Sequence, residues 1–434
     1  MKKSGPKLWK KAKKIIPGGS MLFSKRQELL LPGLWPSYYS KAKGCLVWDL
    51  DNKKYYDLFN GVGTNILGYA NTKIDNAVIN SIKKSNMSSL NSPFEVKLAE
   101  KLLELHPWLD MVRFARSGGE ANSIAVRIAR AASGRDCVAV CGYHGWHDWY
   151  LAANLEKKSN LNGHILKNLY HKGVPKDLAG SVKVFEYNNY NQLLDIVSKN
   201  NVGVIKMEVV RNLGPSNNFL QKVRELATKK NIVLIFDECT SGFRETYGGI
   251  HKKYKVYPDI AMFGKALGNG YAITAVVGKK KVMEAAQDTF ISSTFWTEQI
   301  GSVAALKTLE LMKQMESWKK ISKIGEKIKK NWENISKVHG IKLNISGISA
   351  LPSFTFENDN NNICKTFFTQ EMLKKNILAS NVIFVSTKHS SKILDRYFEA
   401  FNNTLKKISK FPTHKEISKS LKYENCHQTF QRLN

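Results

Sequence analysis

The chain has 434 residues, 43% of them hydrophobic, and 67 Lys and Arg against 36 Asp and Glu give it a net charge of +31. That length is enough for a sizeable core in two or three domains, while no run approaches the roughly 20 apolar residues of a membrane span. The six cysteines, Cys45, Cys137, Cys141, Cys239, Cys364 and Cys426, form no CxxC pair, and the basic opening "MKKSGPKLWKKAKKIIPGGS" leads into no signal-peptide core, so a soluble, cytoplasmic protein with reduced thiols is expected. The charge invites a nucleic-acid reading, but lysine outnumbers arginine about five to one and is scattered as KK pairs. Base and phosphate recognition favours the bidentate arginine fork, so the expectation is a lysine-rich surface with weak, salt-sensitive adhesion to polyanions and no specific nucleic-acid partner.

In chain order, residues 1–60 hold a helix and then "GCLVWDLDNKKYYDLF", two alternating runs joined by Asp51 and Asn52, a hairpin signal. This segment is expected to join a small domain. Residues 61–305 alternate apolar runs with helical patterns: "MVRFA", "CVAVC", "VGVIKMEVV", "IVLIFDE", "IAMFG" and "AITAVVG". Such alternation predicts an α/β domain with a mostly parallel sheet and helices on both faces. Residues 306–411 read as a smaller α+β domain: a lysine-rich helix, "IKLNISGISALPSFTFEN", a helix over Thr366–Leu378, "VIFVSTKH", and a helix over Ser391–Phe411. Residues 412–434 form a polar tail.

The run "IVLIF" reads as a strand buried on both faces, yet it ends in Asp237 and Glu238. A carboxylate at the edge of a core needs solvent, a cap or a cation. In "PDIAMFGKALGNG", Lys265 follows an apolar run and stands among Gly264, Gly268 and Gly270, where desolvation can lower its proton affinity and suit it to attack an aldehyde. "SGGEANSIAVRIARAA" places Ser117, Gly118 and Gly119 before a helical pattern, an arrangement that is either a plain cap or an anion cradle. In "CGYHGWHDWY", Tyr143 and His144 end a buried run and offer an aromatic face, and the spacing of His144 and His147 is a poor metal signature, so no metal is expected. A phosphate cradle, a stacking ring, a buried aspartate and a desolvated lysine together describe a pocket for pyridoxal 5′-phosphate. Asp237 would face the protonated pyridine nitrogen, and Glu238 would turn into a polar network or solvent.

The stretches "IVLIFDECTSGFR", "FGKALGNG", "SGGEAN" and "GYHG" resemble the class-III, fold-type-I pyridoxal-phosphate aminotransferases, and among them the glutamate-1-semialdehyde 2,1-aminomutase branch. The resemblance covers nearly the whole chain. It implies Lys265 as the Schiff-base lysine, Asp237 as the partner of the ring nitrogen, Gly118 and Gly119 at the phosphate, and Tyr143, with His144 beside it, stacked on the ring. It further implies that Thr294 in "SSTFW" reaches the phosphate of a neighbouring subunit, hence a homodimer with shared sites, and that Asn212 in "EVVRNLG" lies near the ring hydroxyl.

The departures fall in the substrate shell. "SMLFSKRQE" replaces the mutase arginine segment and leaves Lys25 or Arg26 nearby, "SGTEA" becomes "SGGEA", and "GTLSGNP" becomes "STFWTEQ", which brings Trp296 towards the site. Amino transfer between an amino acid and a carbonyl substrate is therefore expected ahead of the intramolecular exchange of an aminomutase. "GYHGWHDWYLA" and "ISSTFWTEQIG" also resemble bacterial relatives linked to surface-polysaccharide pathways. A polyanion-binding protein on an idle scaffold is the alternative of another class, and Arg26, Arg116, Arg211 and Arg244 are all open as the substrate carboxylate's partner.

Overall fold

A computed structural model describes residues 4–156, 160–164, 168–357, 361–430 and 433. The chain divides into two compact units, Met1–Asn71 with Lys320–Asn434, and Thr72–Lys319. The first opens with a helix over Ser4–Ile15 and three short strands, β1 (Tyr39–Lys43), β2 (Leu46–Asp49) and β3 (Lys54–Asp57). β2 and β3 pair antiparallel across Asp51–Asn52, with Asn52 at φ +62°, the left-handed turn conformation asparagine tolerates.

The second unit is built on β4 (Met111–Ala115), β5 (Cys137–Cys141), β6 (Val182–Val184), β7 (Val202–Glu208), β8 (Val233–Glu238), β9 (Ile260–Phe263) and β10 (Thr274–Gly278), in the order β4-β10-β9-β8-β7-β5-β6. The strands from β9 through β6 run parallel, and β10 is antiparallel to both its neighbours. Every residue of β7, β8, β9 and β10 is buried, as expected of central strands covered on both faces. The helix Gly118–Ser133 lays Ala121, Ile124, Ala125, Ile128 and Ala129, a 3.6-residue stripe, onto Val138, Val140, Val204, Ile235, Ile260 and Met262. β6, at the sheet edge, is only three residues long, too short for a periodic sequence signal.

In the first unit, β11 (Leu343–Ser346) and β12 (Ser353–Phe356) form a hairpin, and β13 (Ile377–Leu378) adds parallel to β3. The helix expected over Thr366–Leu378 instead spans Asn361–Lys374. Asn376 at φ +58° terminates the helical path and frees Ile377 and Leu378 to enter the sheet. The helix expected over Ser391–Phe411 spans Ser391–Ile408. "VIFVSTKH" is buried at Ile383–Val385 but forms no regular strand, because its amides bond to Pro352, Leu58, Ala350 and Ile66 in turn. The polar tail carries a helix over His414–Lys419 that buries Ile417.

Candidate active site

The carboxyl ends of β4, β5, β7, β8 and β9 bring the candidate residues of the Thr72–Lys319 unit together, at the edge where open α/β sheets place their ligands. Ser117 follows β4 and caps the Gly118–Ser133 helix: its hydroxyl accepts from the Glu120 amide, and Glu120 returns a bond from the Ser117 amide at 2.7 Å. The capping box uses the third amide of the first turn and leaves those of Gly118 and Gly119 facing outward at the positive end of the helix dipole. A side chain cannot be added there freely. A Cβ on Gly119 would stand 3.0 Å from His147 Nε2 and 3.4 Å from Trp146 Nε1. Gly118 and Gly264 both lie over Cys239 Sγ, so the helix start, the end of β8 and the end of β9 meet at one place.

Asp237, 4% exposed, is held from two sides. His144 Nδ1 donates to its Oδ2 at 2.9 Å, and the Cys239 amide donates to Oδ1 at 3.1 Å. Burial alone would raise the carboxyl's proton affinity, but the His144 bond and the buried Lys206 ammonium outweigh it and hold Asp237 well below the usual carboxylate range. His144, expected beside Tyr143, is bonded through its ring to Asp237. It is fully buried, its Nε2 donates to the Cys141 carbonyl at 3.0 Å, and its ring is committed to orienting Asp237. Glu238 points to the opposite face into a closed network in which His251, Ser241 and the amides of Ile250 and His251 all donate to it.

Lys265 sits one residue past Gly264 with φ +42°, a left-handed conformation unusual for a side chain of this size. Its Nζ donates to Thr240 Oγ1 at 2.7 Å. Burial first, then the nearby Arg211 charge, push the ammonium down to about 8 from the ordinary 10.5. Tyr143 is anchored through its amide, which donates to Glu208 Oε2 at 3.1 Å, and that carboxylate also takes Arg211 Nη1 at 3.3 Å. Gly142 at φ +104° allows this approach, since a Cβ there would lie 2.8 Å from Glu208 Oε2.

Two candidates make no hydrogen bond or ion pair with Tyr143, Asp237 or Lys265 among the described residues. Asn212 is exposed in the loop after β7, directly following Arg211, whose charge is felt at Lys265. Thr294 opens a short 3-10 turn, Thr294–Thr297, and is exposed. Its segment is tightly held. Arg113 bonds the Ile291 carbonyl, Arg127 that of Phe290, and Arg116 those of Phe295, Trp296 and Glu298. Trp296 Nε1 donates to Glu120 at 3.2 Å, so this indole does come to the cradle helix. Arg116 is thereby occupied with backbone, Arg26 lies over the Phe23 and Phe430 rings, and Arg211 and Arg244 are the two arginines whose charge is felt at Lys265. Thr240, Glu208 and Lys206 belong to this cluster without a sequence signal of their own; only the buried-strand reading of "VGVIKMEVV" makes the two charged residues within it conspicuous.

The model for the aminotransferase class-III family matches residues 33–412. The chain belongs to that family. It is 33% identical over 418 residues to the 3-aminobutyryl-CoA aminotransferase of Cloacimonas acidaminovorans (strain Evry), covering 93% of this chain and 97% of the relative. It is 29% identical over 432 residues to the glutamate-1-semialdehyde 2,1-aminomutase of Nitrosopumilus maritimus (strain SCM1), covering 93% and 99%. Among solved structures, the FumI protein of Sphingopyxis sp. MTA144, in a PLP internal aldimine form, superposes with a TM-score of 0.85 at 23% identity, covering 95% of this chain and 99% of that one. An omega-transaminase from Sphaerobacter thermophilus gives 0.82 at 24%, covering 93% and 97%. The fold is that of the fold-type-I transaminases, and the cofactor of this class-III aminotransferase is pyridoxal phosphate. The residues present fit that group: two outward helix amides before a glycine cradle, a carboxylate held ionised, and an amine of lowered proton affinity.

Proposed function

We propose that this class-III aminotransferase moves an amino group between an amino acid and a carbonyl compound, with an intermediate of a surface-polysaccharide pathway as the carbonyl partner. The observation that carries the reading is the pairing of Lys265, pushed down to about 8, with an Asp237 kept charged at the neighbouring strand end. The pathway rests on the resemblance of "GYHGWHDWYLA" and "ISSTFWTEQIG" alone. When bound, the cofactor supplies an electron-withdrawing ring conjugated to the reacting carbon. Gly118 and Gly119 would hold its phosphate, Tyr143 would cover the ring, and Asp237 would face the ring nitrogen. Lys265, about half neutral near pH 8, accepts a proton at Nζ from the substrate α-carbon and returns one, with Thr240 steering the amine. Thr294 serves the partner's site in a homodimer, which makes each pocket dependent on two chains.

The aminomutase reading draws support from relatives of that name, including the Nitrosopumilus maritimus protein. The two separate in one assay. Purified protein is offered a panel of amino donors and carbonyl acceptors, glutamate-1-semialdehyde included, and products are identified by mass. Exchange between two different molecules supports the aminotransferase; turnover of the semialdehyde alone refutes it in favour of the mutase. Borohydride treatment followed by peptide mapping should fix the cofactor on Lys265, and an adduct on another lysine would remove the assignment.

A further inference from the structure

Lys206 stands in the middle of β7 with no solvent exposure. Its Nζ lies 3.0 Å from Met262 Sδ, a weak acceptor. Met262 belongs to β9, and β8 runs between β7 and β9. Neighbouring strands are about 4.8 Å apart, so the lysine stem must cross the face of β8 to make this contact. The register sets Ile235 of β8 against Lys206, and Asp237 against both Glu208 and Met262. Alternation then puts Lys206, Glu208, Ile235, Asp237 and Met262 on one face, so the ammonium lies on the face that carries Asp237. The rest of that face is apolar: β5 brings Val140, β9 brings Met262 and Ile260, and the Gly118–Ser133 helix brings Ile124 and Ile128. The charged and titratable groups acting on Lys206 are Asp237 from β8, Cys239 just beyond it, and Glu208 from its own strand.

A buried ammonium is tolerated only with a countercharge. The countercharge that acts on it most strongly, Asp237, already has His144 at 2.9 Å, so the carboxylate feels two basic side chains before any cofactor nitrogen arrives. A cation behind a carboxylate, farther from the ring than the carboxylate is, favours the charge-separated arrangement over a neutral acid against a neutral ring. We propose that Lys206 is a positioning residue of the cofactor site, a buried cation behind Asp237 that keeps the proton shared by carboxylate and ring nitrogen on the ring. It touches neither cofactor nor substrate and acts through Asp237; the proposal rests on the cofactor assignment above.

The test is Lys206→Met in the full-length holoenzyme, a change that keeps the stem's volume and removes its charge. Removing a nearby cation makes protons harder to lose, so the pH midpoint of the bound cofactor's visible absorption should rise by roughly half to one pH unit. Turnover should fall about tenfold, less than for loss of a direct electrostatic partner, with KM little changed. In an Asp237→Asn background the same substitution should cost no further turnover, because the residue it acts through is already neutral. The melting temperature of the cofactor-free protein should hold or rise, since an apolar side chain replaces a buried charge. An unmoved absorption midpoint, an additive loss in the double variant, or failure of both Lys206→Met and Lys206→Leu to fold would each overturn the proposal. Absence of the cofactor band in the unmodified enzyme would instead remove the cofactor assignment, and the proposal with it, before any variant is made.

Discussion

Replacing Lys265 by Met should abolish turnover and yet stabilise the cofactor-free protein at neutral pH. The ammonium is pushed from 10.5 to about 8, by burial first and the Arg211 charge second. For a base, a folded value below the unfolded one means destabilisation. The penalty is complete below about pH 8, where both states carry the proton, and fades as pH rises through 10.5, above which neither holds it. A displacement of that size corresponds to at most roughly 3 kcal/mol, reduced because the residue is only half-buried. The variant also loses the bond to Thr240, which contributes about 1 kcal/mol. The net expected gain at pH 7 is about 1–2 kcal/mol, shrinking to about zero or a small loss at pH 10, where the residual penalty no longer exceeds the missing hydrogen bond. Urea denaturation of the cofactor-free wild type and variant at both pH values measures the two gaps. A variant less stable at pH 7, or a gap that does not change with pH, would refute the claim that the fold strains to keep this amine neutral.

Gly119→Ala places a methyl group in front of the outward amides, 3.0 Å from His147 Nε2; the cofactor Kd should rise about tenfold or more, a 1.4 kcal/mol effect, while the apo protein should lose only about 1 kcal/mol as His147 gives way, so unchanged cofactor affinity would show that the phosphate binds elsewhere. Glu238→Gln removes the charge from a site that takes donors from His251, Ser241 and two amides; unfolding free energy should drop by roughly 2–4 kcal/mol, and a loss under about 0.5 kcal/mol would mean the network is dispensable. Mixing Lys265→Ala chains with Thr294→Ala chains should restore part of the activity, because a heterodimer with shared sites holds one pocket without either lesion; no recovery after verified subunit exchange would sink the shared-site assembly.

The residues that break a local pattern were readable without coordinates. Asp237 and Glu238 interrupt an apolar run, Lys265 is a lysine out of charged company, and Ser117-Gly118-Gly119 stands before a helical stripe; each contradicts its immediate surroundings, and local contradiction is visible in one dimension. The central strands were equally plain, because burial on both faces demands unbroken apolar runs. The edge strand β6 and the two-residue β13 were not, since three and two residues carry no period. Tertiary structure alone decided the roles that depend on strand order. His144 serves Asp237 across 93 residues, Glu208 anchors Tyr143 across 65, and Arg116 binds carbonyls about 180 residues away. Lys206 reads as one polar residue in a strand until β8 is seen to lie between β7 and β9, which turns its stem across the face that holds Asp237. Spacing along a chain encodes periodicity, and hence which face of an element is buried. It does not encode which strands become neighbours, and at this site the neighbours determine where the charges fall.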